Sequence, residues 1–110
     1  MPKVTSAAEA FAAMPQVFLP ENAAGINAVL QFNLSGDGGG DWNVTVADKQ
    51  VKVIEGVAAS PTMTLAMAAS DYLAMVNGET NPMALFMQGK VKLTGDIQLA
   101  LKMQSMFKMS

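Results

Sequence analysis

The sequence predicts a single α+β domain built from five strands and four helices. Five segments alternate apolar and polar side chains, as a strand with one buried face does. Four further segments carry helix start and stop residues around apolar positions. A length of 110 residues suits one hydrophobic core. We therefore interpret residues 1–110 as one domain.

The first predicted element is a helix over residues 6–14. Ser6 and Glu9 have the spacing of a capping box, in which the hydroxyl caps the first turn and the carboxylate reaches back. Pro15 permits a new turn to begin, and Pro20 prevents further helix. The helix presents one apolar face, made of Ala7, Phe11 and Met14.

The predicted strands follow in two groups, and the first three are close in sequence. A glycine-rich turn at 35–41 and a short loop at 47–49 separate them, which predicts an antiparallel meander. In the first strand Gln31 and Asn33 alternate with apolar residues, so we expect one polar and one buried face. The strand segments are 26–34, 42–46, 50–54, 62–67 and 90–94.

Two short helices lie between the fourth and fifth strands. Ser70 begins the first, which runs to Asn77 before Gly78. Asn81 caps the second and Gly89 ends it. This third helix of the chain is apolar around its whole axis, which predicts burial on more than one side. Its apolar residues are Met83, Ala84, Leu85, Phe86 and Met87.

The last predicted helix, over residues 96–109, has an apolar arc wider than packing on one sheet requires. Gln98, Lys102 and Ser105 form its polar face. Three arrangements remain open: the helix is covered on two sides, lines an apolar cavity, or contacts another subunit. The arc contains Ile97, Leu99, Ala100, Leu101, Met103, Met106 and Phe107.

The composition argues against several classes of function. The formal net charge is −2 and all seven basic residues are lysine, which disfavours nucleic-acid binding. Without histidine or cysteine, the chain lacks a thiol nucleophile and the usual base that titrates near neutral pH, so we expect no enzyme and no cofactor. Asp37 and Asp41 flank a glycine run that fits a hairpin turn better than a cation site. Glu79 and Asp96 are interpreted as turn and helix-end residues, and we expect no metal site.

The sequence also bears on location. Glu9 and Pro15 interrupt the apolar residues near the N-terminus, which is unlike a signal peptide. No stretch reaches the roughly 18 consecutive apolar residues of a membrane span. The last three residues do not match a peroxisomal signal. We therefore expect a cytoplasmic protein.

Methionine is unusually frequent, with 10 residues, most of them on predicted helix or strand faces. Its flexible thioether side chain suits irregular or exchangeable apolar partners, although each methionine alone fits ordinary core packing. Together with the wide apolar arcs, this enrichment favours an apolar cavity.

Several segments resemble the sterol carrier protein 2 (SCP-2) family of lipid-transfer domains. The most specific is the capped apolar helix that leads into Gln88-Gly89-Lys90 and ends at Gly95-Asp96. The resemblance implies a five-stranded mixed, largely antiparallel sheet, with helices on one face and an apolar tunnel between them. The tunnel would bind a fatty acid, fatty acyl-CoA, phospholipid or sterol. The resembling segments are 26–36, 39–42, 61–65, 70–73 and 81–96.

The resemblance also implies which residues contact the lipid. Gln88 would meet a polar head group, although exposure at a helix end explains it equally well. The implied lipid-binding residues are Phe32, Trp42, Tyr72, Met75, Val76, Met83, Phe86, Met87, Gln88, Leu99, Met103, Met106 and Phe107.

Two functions follow from this interpretation. The first is a non-enzymatic lipid carrier, a monomer or weak dimer that makes transient contact with membranes. The second is an interaction or oligomerisation module that assists a lipid-metabolising enzyme, in which case the wide arc of the last helix is an interface.

Overall fold

The computed structural model describes residues 4–96, 98, 99, 102 and 106. The five strands form one mixed sheet in the order β3-β2-β1-β4-β5, where β1 and β4 are parallel and the other neighbours antiparallel. The predicted five-stranded mixed sheet and its meander are thereby confirmed. The strands are β1 Ala28–Ser35, β2 Gly40–Ala47, β3 Gln50–Glu55, β4 Met63–Ala68 and β5 Val91–Gly95. The α-helices are α1 Ala7–Ala13, α2 Ala69–Val76 and α3 Pro82–Met87, with 3₁₀ helices at Met14–Val17 and Pro20–Asn22.

The ends of α1 and α3 follow the predicted capping residues, whereas α2 begins at Ala69, one residue before the predicted Ser70, and has no side-chain cap. The Ser6 hydroxyl accepts from the Glu9 backbone N–H at 3.1 Å. The Asn81 carboxamide oxygen accepts from the Met83 N–H at 2.7 Å and caps α3. Gly89 follows α3 with a φ of +74°, a conformation that glycine adopts without steric cost. Local sequence therefore sets where these helices begin and end.

One face of the sheet is apolar and carries the helices. Leu30 of β1 is paired with Val44 of β2 and Met63 of β4, and all three are fully buried. α2 packs on β1 and β4, α1 lies against α2, the 3₁₀ helix Met14–Val17 lies near β3, and α3 lies beside β5. The helices thus cover the apolar face from one edge strand to the other.

The opposite face corrects one expectation about β1. Gln31 was expected on an exposed polar face, but it is 2% exposed, and Asn43 of β2 is 9% exposed. The connection from β3 to β4 covers them: Gln31 accepts from the Ala58 N–H at 2.7 Å, and both amide side chains donate to the Gly56 carbonyl at 3.3 Å. Because these hydrogen bonds replace those to water, the two polar side chains can be buried.

Four residues are described after Asp96. Gln98, Leu99, Lys102 and Met106 have α-helical backbone; Leu99 and Met106 are buried, whereas Gln98 and Lys102 are exposed. The Met106 carbonyl accepts from the Leu19 N–H at 2.7 Å, two residues after the 3₁₀ helix that lies near β3. The predicted helix is confirmed at these four residues.

Candidate functional site

Four aromatic side chains from α1, α2 and the sheet pack together. We call them the aromatic cluster: Phe11, Phe32, Trp42 and Tyr72. The Phe11 ring is stacked on Trp42 with centroids 4.7 Å apart and on Tyr72 at 5.1 Å. The Phe32 ring meets Phe11 edge-on at 5.2 Å. All four side chains are buried. Phe11 therefore occupies the space between the sheet and α2.

This packing bears directly on three predicted lipid contacts, Phe32, Trp42 and Tyr72. Each of them contacts the Phe11 ring, so the side of each ring that faces Phe11 is not available to a lipid. Their contact with a lipid stays a prediction. The sequence pattern predicts Phe11 on the apolar face of the first helix, but it does not identify Phe11 as the centre of the cluster, because the three partners are distant in sequence.

Tyr72 contributes a phenol to this apolar surrounding. Burial raises the pKa of Tyr72 well above its ordinary value, because the phenolate would lose its hydration. The side chain is therefore neutral at physiological pH, and its ring serves as packing surface between α2 and the sheet.

In contrast to the buried aromatic cluster, α3 carries exposed apolar side chains on its outer side. Met83, Phe86 and Met87 are spaced i, i+3 and i+4, so they share one face, and they are 52%, 47% and 79% exposed. We call this face the α3 apolar surface. Leu85, on the other side of the helix, is 3% exposed and belongs to the core. The expectation that this helix is buried on more than one side is wrong, because only one side packs against the body of the domain.

β5, which lies beside α3, contributes apolar side chains to the helix-bearing face of the sheet. Val91 and Leu93 of β5 share a sheet face with Met67 and Leu65, yet they are only partly buried at this edge. The other predicted contacts on helices are buried: Met75 and Val76 of α2, and Leu99 and Met106 near the C-terminus. Two further predicted contacts, Met103 and Phe107, lie outside the described residues.

The polar residues near α3 are few. Gln88 is exposed at the C-terminal end of α3, where its backbone N–H donates to the Ala84 carbonyl at 3.1 Å. Its contact with a head group stays a prediction. Lys90 and Lys92, which follow in sequence, are both exposed.

The alternative cation site at the glycine run forms a tight turn, in which the Gly39 N–H donates to the Gly36 carbonyl at 3.0 Å. Within residues 4–96 and the four described residues beyond, no group of three acidic, histidine or cysteine side chains could hold a metal ion. Among the same residues, no helix is long and apolar enough to cross a membrane.

Comparison with known proteins agrees with this fold. Hydroxysteroid dehydrogenase-like protein 2 of Mus musculus is 38% identical over 80 residues, which cover 72% of this chain and 16% of that protein. The chain thus spans about a sixth of the length of that curated relative.

Two structures from Aedes aegypti can be aligned with this chain over most of the length of both proteins. The crystal structure of Sterol Carrier Protein 2 Like 2 matches with a TM-score of 0.72 and 30% identity, over 87% of this chain and 88% of that one. The solution structure of palmitated SCP2L2 matches with a TM-score of 0.65 and 34% identity, over 77% and 76%. The model of the SCP-2 sterol transfer family matches residues 10–108. This chain is therefore a member of the SCP-2 sterol transfer family.

Proposed function

We propose that this protein is a non-enzymatic carrier that binds the acyl chain of a lipid between α3, β5 and the C-terminal helical residues. The observation that carries the proposal is the α3 apolar surface. Among the residues that the structure describes, five large apolar side chains are exposed, and three of them are Met83, Phe86 and Met87 on this one short helix. Such concentrated apolar exposure is typical of a binding site.

The proposed site has an inner wall and a rim. We assign the inner wall to five side chains that are buried in the core: Leu85, Leu99, Met106, Met75 and Val76. The α3 apolar surface forms the rim, and Gln88 meets the lipid head group there. Met103 and Phe107 stay predicted contacts. For Phe32, Trp42 and Tyr72 we propose a change from the sequence-based prediction: the lipid binds outside the aromatic cluster, because Phe11 packs against all three rings.

The energetics of such a site are sufficient without polar chemistry. Burying about ten methylene groups of an acyl chain contributes roughly 8 kcal/mol at about 0.8 kcal/mol each. Association costs reduce this value, but useful affinity remains. Methionine side chains at 75, 83, 87 and 106 can adapt to chains of different shape, since thioethers are flexible.

We propose a fatty acid, fatty acyl-CoA, phospholipid or sterol as the ligand of this site. Palmitate is the natural first probe, because the related Aedes aegypti protein has a palmitated structure. We propose a monomer or weak dimer in the cytoplasm.

A second candidate function is a module that assists a lipid-metabolising enzyme. It is favoured by one observation, namely that the chain matches only 16% of the length of hydroxysteroid dehydrogenase-like protein 2. In that case the apolar arc of the last helix would contact the enzyme, and polar substitution of Phe107 would disrupt the assembly. Met106 is not suited to this test, because it is buried within the domain.

Native mass spectrometry after incubation of delipidated protein with palmitate tests the carrier function. We expect a palmitate adduct, and we expect Phe86→Asp to reduce it several-fold. Ile54→Asp is a matched control, because Ile54 is 43% exposed and lies on β3, while Phe86 is 47% exposed. Absence of any adduct with the unmodified chain, or equal loss in both variants, would overturn the proposed site.

A further inference from the structure

We propose that the outer edge of β5 binds an extended polypeptide segment of another protein. The segment carries acidic side chains on one side and apolar side chains on the other, and it joins the sheet as a further strand next to β5. Binding of a peptide at this edge does not depend on the carrier function.

The first observation is that β5 ends the sheet with backbone groups directed outward. β5 stands last in the strand order, with β4 as its neighbour. The Asp96 N–H donates to the Thr62 carbonyl at 3.1 Å, which extends the β4–β5 register by one residue. Because every second residue of an antiparallel strand bonds to the same neighbour, Lys92 also bonds to β4. The N–H and C=O groups of Val91 and Leu93 therefore point to the outer edge.

The second observation concerns the two faces of this strand. Val91 and Leu93 are only partly buried on the helix-bearing face, so apolar side chains beside them would cover more of their surface. Lys92 is exposed on the opposite face, and Lys90 is exposed just before the strand. Side chains of an added strand alternate between the same two faces. One side of that strand would therefore meet apolar residues and the other would meet lysine.

The charge on the face of Lys92 selects an acidic partner. In register with Lys92 across the sheet lie the uncharged residues Ala66 and Asn33, and Asp41 follows on β2. Since neighbouring strands are about 4.8 Å apart, the backbones of Lys92 and Asp41 are separated by roughly 14 Å. The Asp96 carboxylate, just after β5, accepts a backbone N–H two residues later at 3.1 Å. An acidic side chain opposite Lys92 would therefore add a favourable cross-strand pair.

The edge strands of a second copy do not offer these side chains. β3, at the other edge of the sheet, carries Lys52 and Ile54 on the face that corresponds to that of Lys92, whereas Glu55 lies on the helix-bearing face. β5 of a second copy would bring its own Lys92. Like charges on paired strands are unfavourable, and lysine on an edge strand opposes pairing of identical edges. The complementary strand therefore belongs to a different polypeptide.

Amide hydrogen exchange of the full chain, followed by nuclear magnetic resonance, tests the proposal with two short blocked peptides. One peptide alternates glutamate and valine, and the other alternates lysine and valine. At saturation we expect the glutamate peptide to slow exchange of the Val91 and Leu93 amides at least about fivefold, because their N–H groups gain acceptors. The lysine peptide should leave both rates unchanged.

Val51 and Val53 are the matched control amides. The Gly56 N–H donates to the Asp41 carbonyl at 2.8 Å, so the same alternation directs the Val51 and Val53 backbone groups to the outer edge of β3. Slowing at these two amides in place of those on β5 would overturn the proposal. No effect of either peptide, or equal effects of both, would also overturn it. Slowing on β5 when the protein alone is concentrated would assign the edge to a second copy.

A proline variant tests the backbone contribution. Val91→Pro removes one outward N–H and leaves the ladder to β4 in place, so the glutamate peptide should no longer slow exchange at Leu93. Val51→Pro makes the same change on β3 and should leave that slowing unchanged. The Thr94 amide, which bonds to β4, reports whether β5 remains in the sheet. Slowing at Leu93 that survives Val91→Pro would contradict strand addition.

A charge reversal tests the selection of the partner without altering the backbone. Lys92→Glu should weaken binding of the glutamate peptide by about fivefold and should allow the lysine peptide to bind in its place. Lys52→Glu, the same change on β3, should leave the preference for the glutamate peptide unchanged. An unaltered preference in the Lys92→Glu variant would show that Lys92 does not select the partner, and the proposal would be wrong.

Discussion

Phe11 and Phe86 are the same side chain in two very different positions. Phe11 is 1% exposed and its ring contacts three other aromatic rings. Phe86 is 47% exposed and lies on a helix with a single buried large side chain, Leu85. The aromatic cluster thus uses its apolar surface within the fold, whereas the α3 apolar surface leaves much of its own area available to a ligand.

The difference separates two kinds of residue that look alike in sequence. Apolar side chains that contact one another at 4.7–5.9 Å between rings contribute to the stability of the fold. Apolar side chains that remain half-exposed gain their stabilisation only when something binds. We therefore expect substitutions in the aromatic cluster to change folding, and substitutions on α3 to change binding.

The largest effect should come from Phe11→Ala. Removing this ring leaves a cavity among its three partners, which should lower the free energy of unfolding by about 3–5 kcal/mol. Phe86→Ala removes the same atoms from an exposed site and should cost less than about 1 kcal/mol. Urea unfolding followed by circular dichroism measures both values. Similar losses in the two variants would show that α3 is as important to folding as the cluster.

A second effect should appear at alkaline pH, through Tyr72. Below its ordinary pKa of about 10, the phenol is protonated in both the folded and the unfolded chain. Above that pH the unfolded chain loses the proton while burial keeps it on the folded one, so the stability of the fold decreases as pH rises. The free energy of unfolding should fall by about 1.4 kcal/mol per pH unit.

Tyr72 is the only tyrosine, so absorbance of the tyrosinate reports on it alone. Tyr72→Phe is the reference, because it keeps the ring and all lysines but removes this titration. Its stability should decline less steeply above pH 10. Parallel curves for the two proteins would mean that the Tyr72 phenol is not buried in the folded state.

The smallest effect in this series should come from the helix caps. Ser6→Ala removes the cap of α1, which carries Phe11, and should lower global stability by about 1 kcal/mol. Asn81→Ala removes the cap of α3 and should chiefly increase local opening there. Hydrogen exchange distinguishes the two outcomes. Asn81→Ala should speed the exchange of α3 amides only, whereas Ser6→Ala should speed exchange throughout the domain. Identical exchange patterns for both variants would contradict the independence of the two regions.

Much of the fold could be predicted because its signals are local. Alternation in sequence located all five strands, and Ser6, Asn81 and Gly89 marked helix ends that the structure confirms. The burial of Gln31 could not be predicted in this way. It depends on the path of residues 56–62 across the sheet, and no period along β1 reports on that path.

The site was predictable only in part, for a similar physical reason. The sequence shows that α3 is apolar all around, but periodicity does not say what covers each side of a helix. The exposure of Met83, Phe86 and Met87 depends on how α3 sits beside β5. Likewise, Phe11 was recognisable as apolar, whereas its position between Trp42 and Tyr72 arises from three separate elements meeting in space.

Quenching of tryptophan fluorescence by a palmitate analogue brominated along its chain tests the central claim most directly. Bromine quenches only at short range, and Trp42 in the aromatic cluster is the only tryptophan. A double variant, Trp42→Phe with Phe86→Trp, moves the reporter to α3. We predict strong quenching of the double variant and little quenching of the unmodified protein when both bind the analogue. Equal or stronger quenching of Trp42 would show that the acyl chain displaces Phe11 and enters the aromatic cluster, contrary to our account.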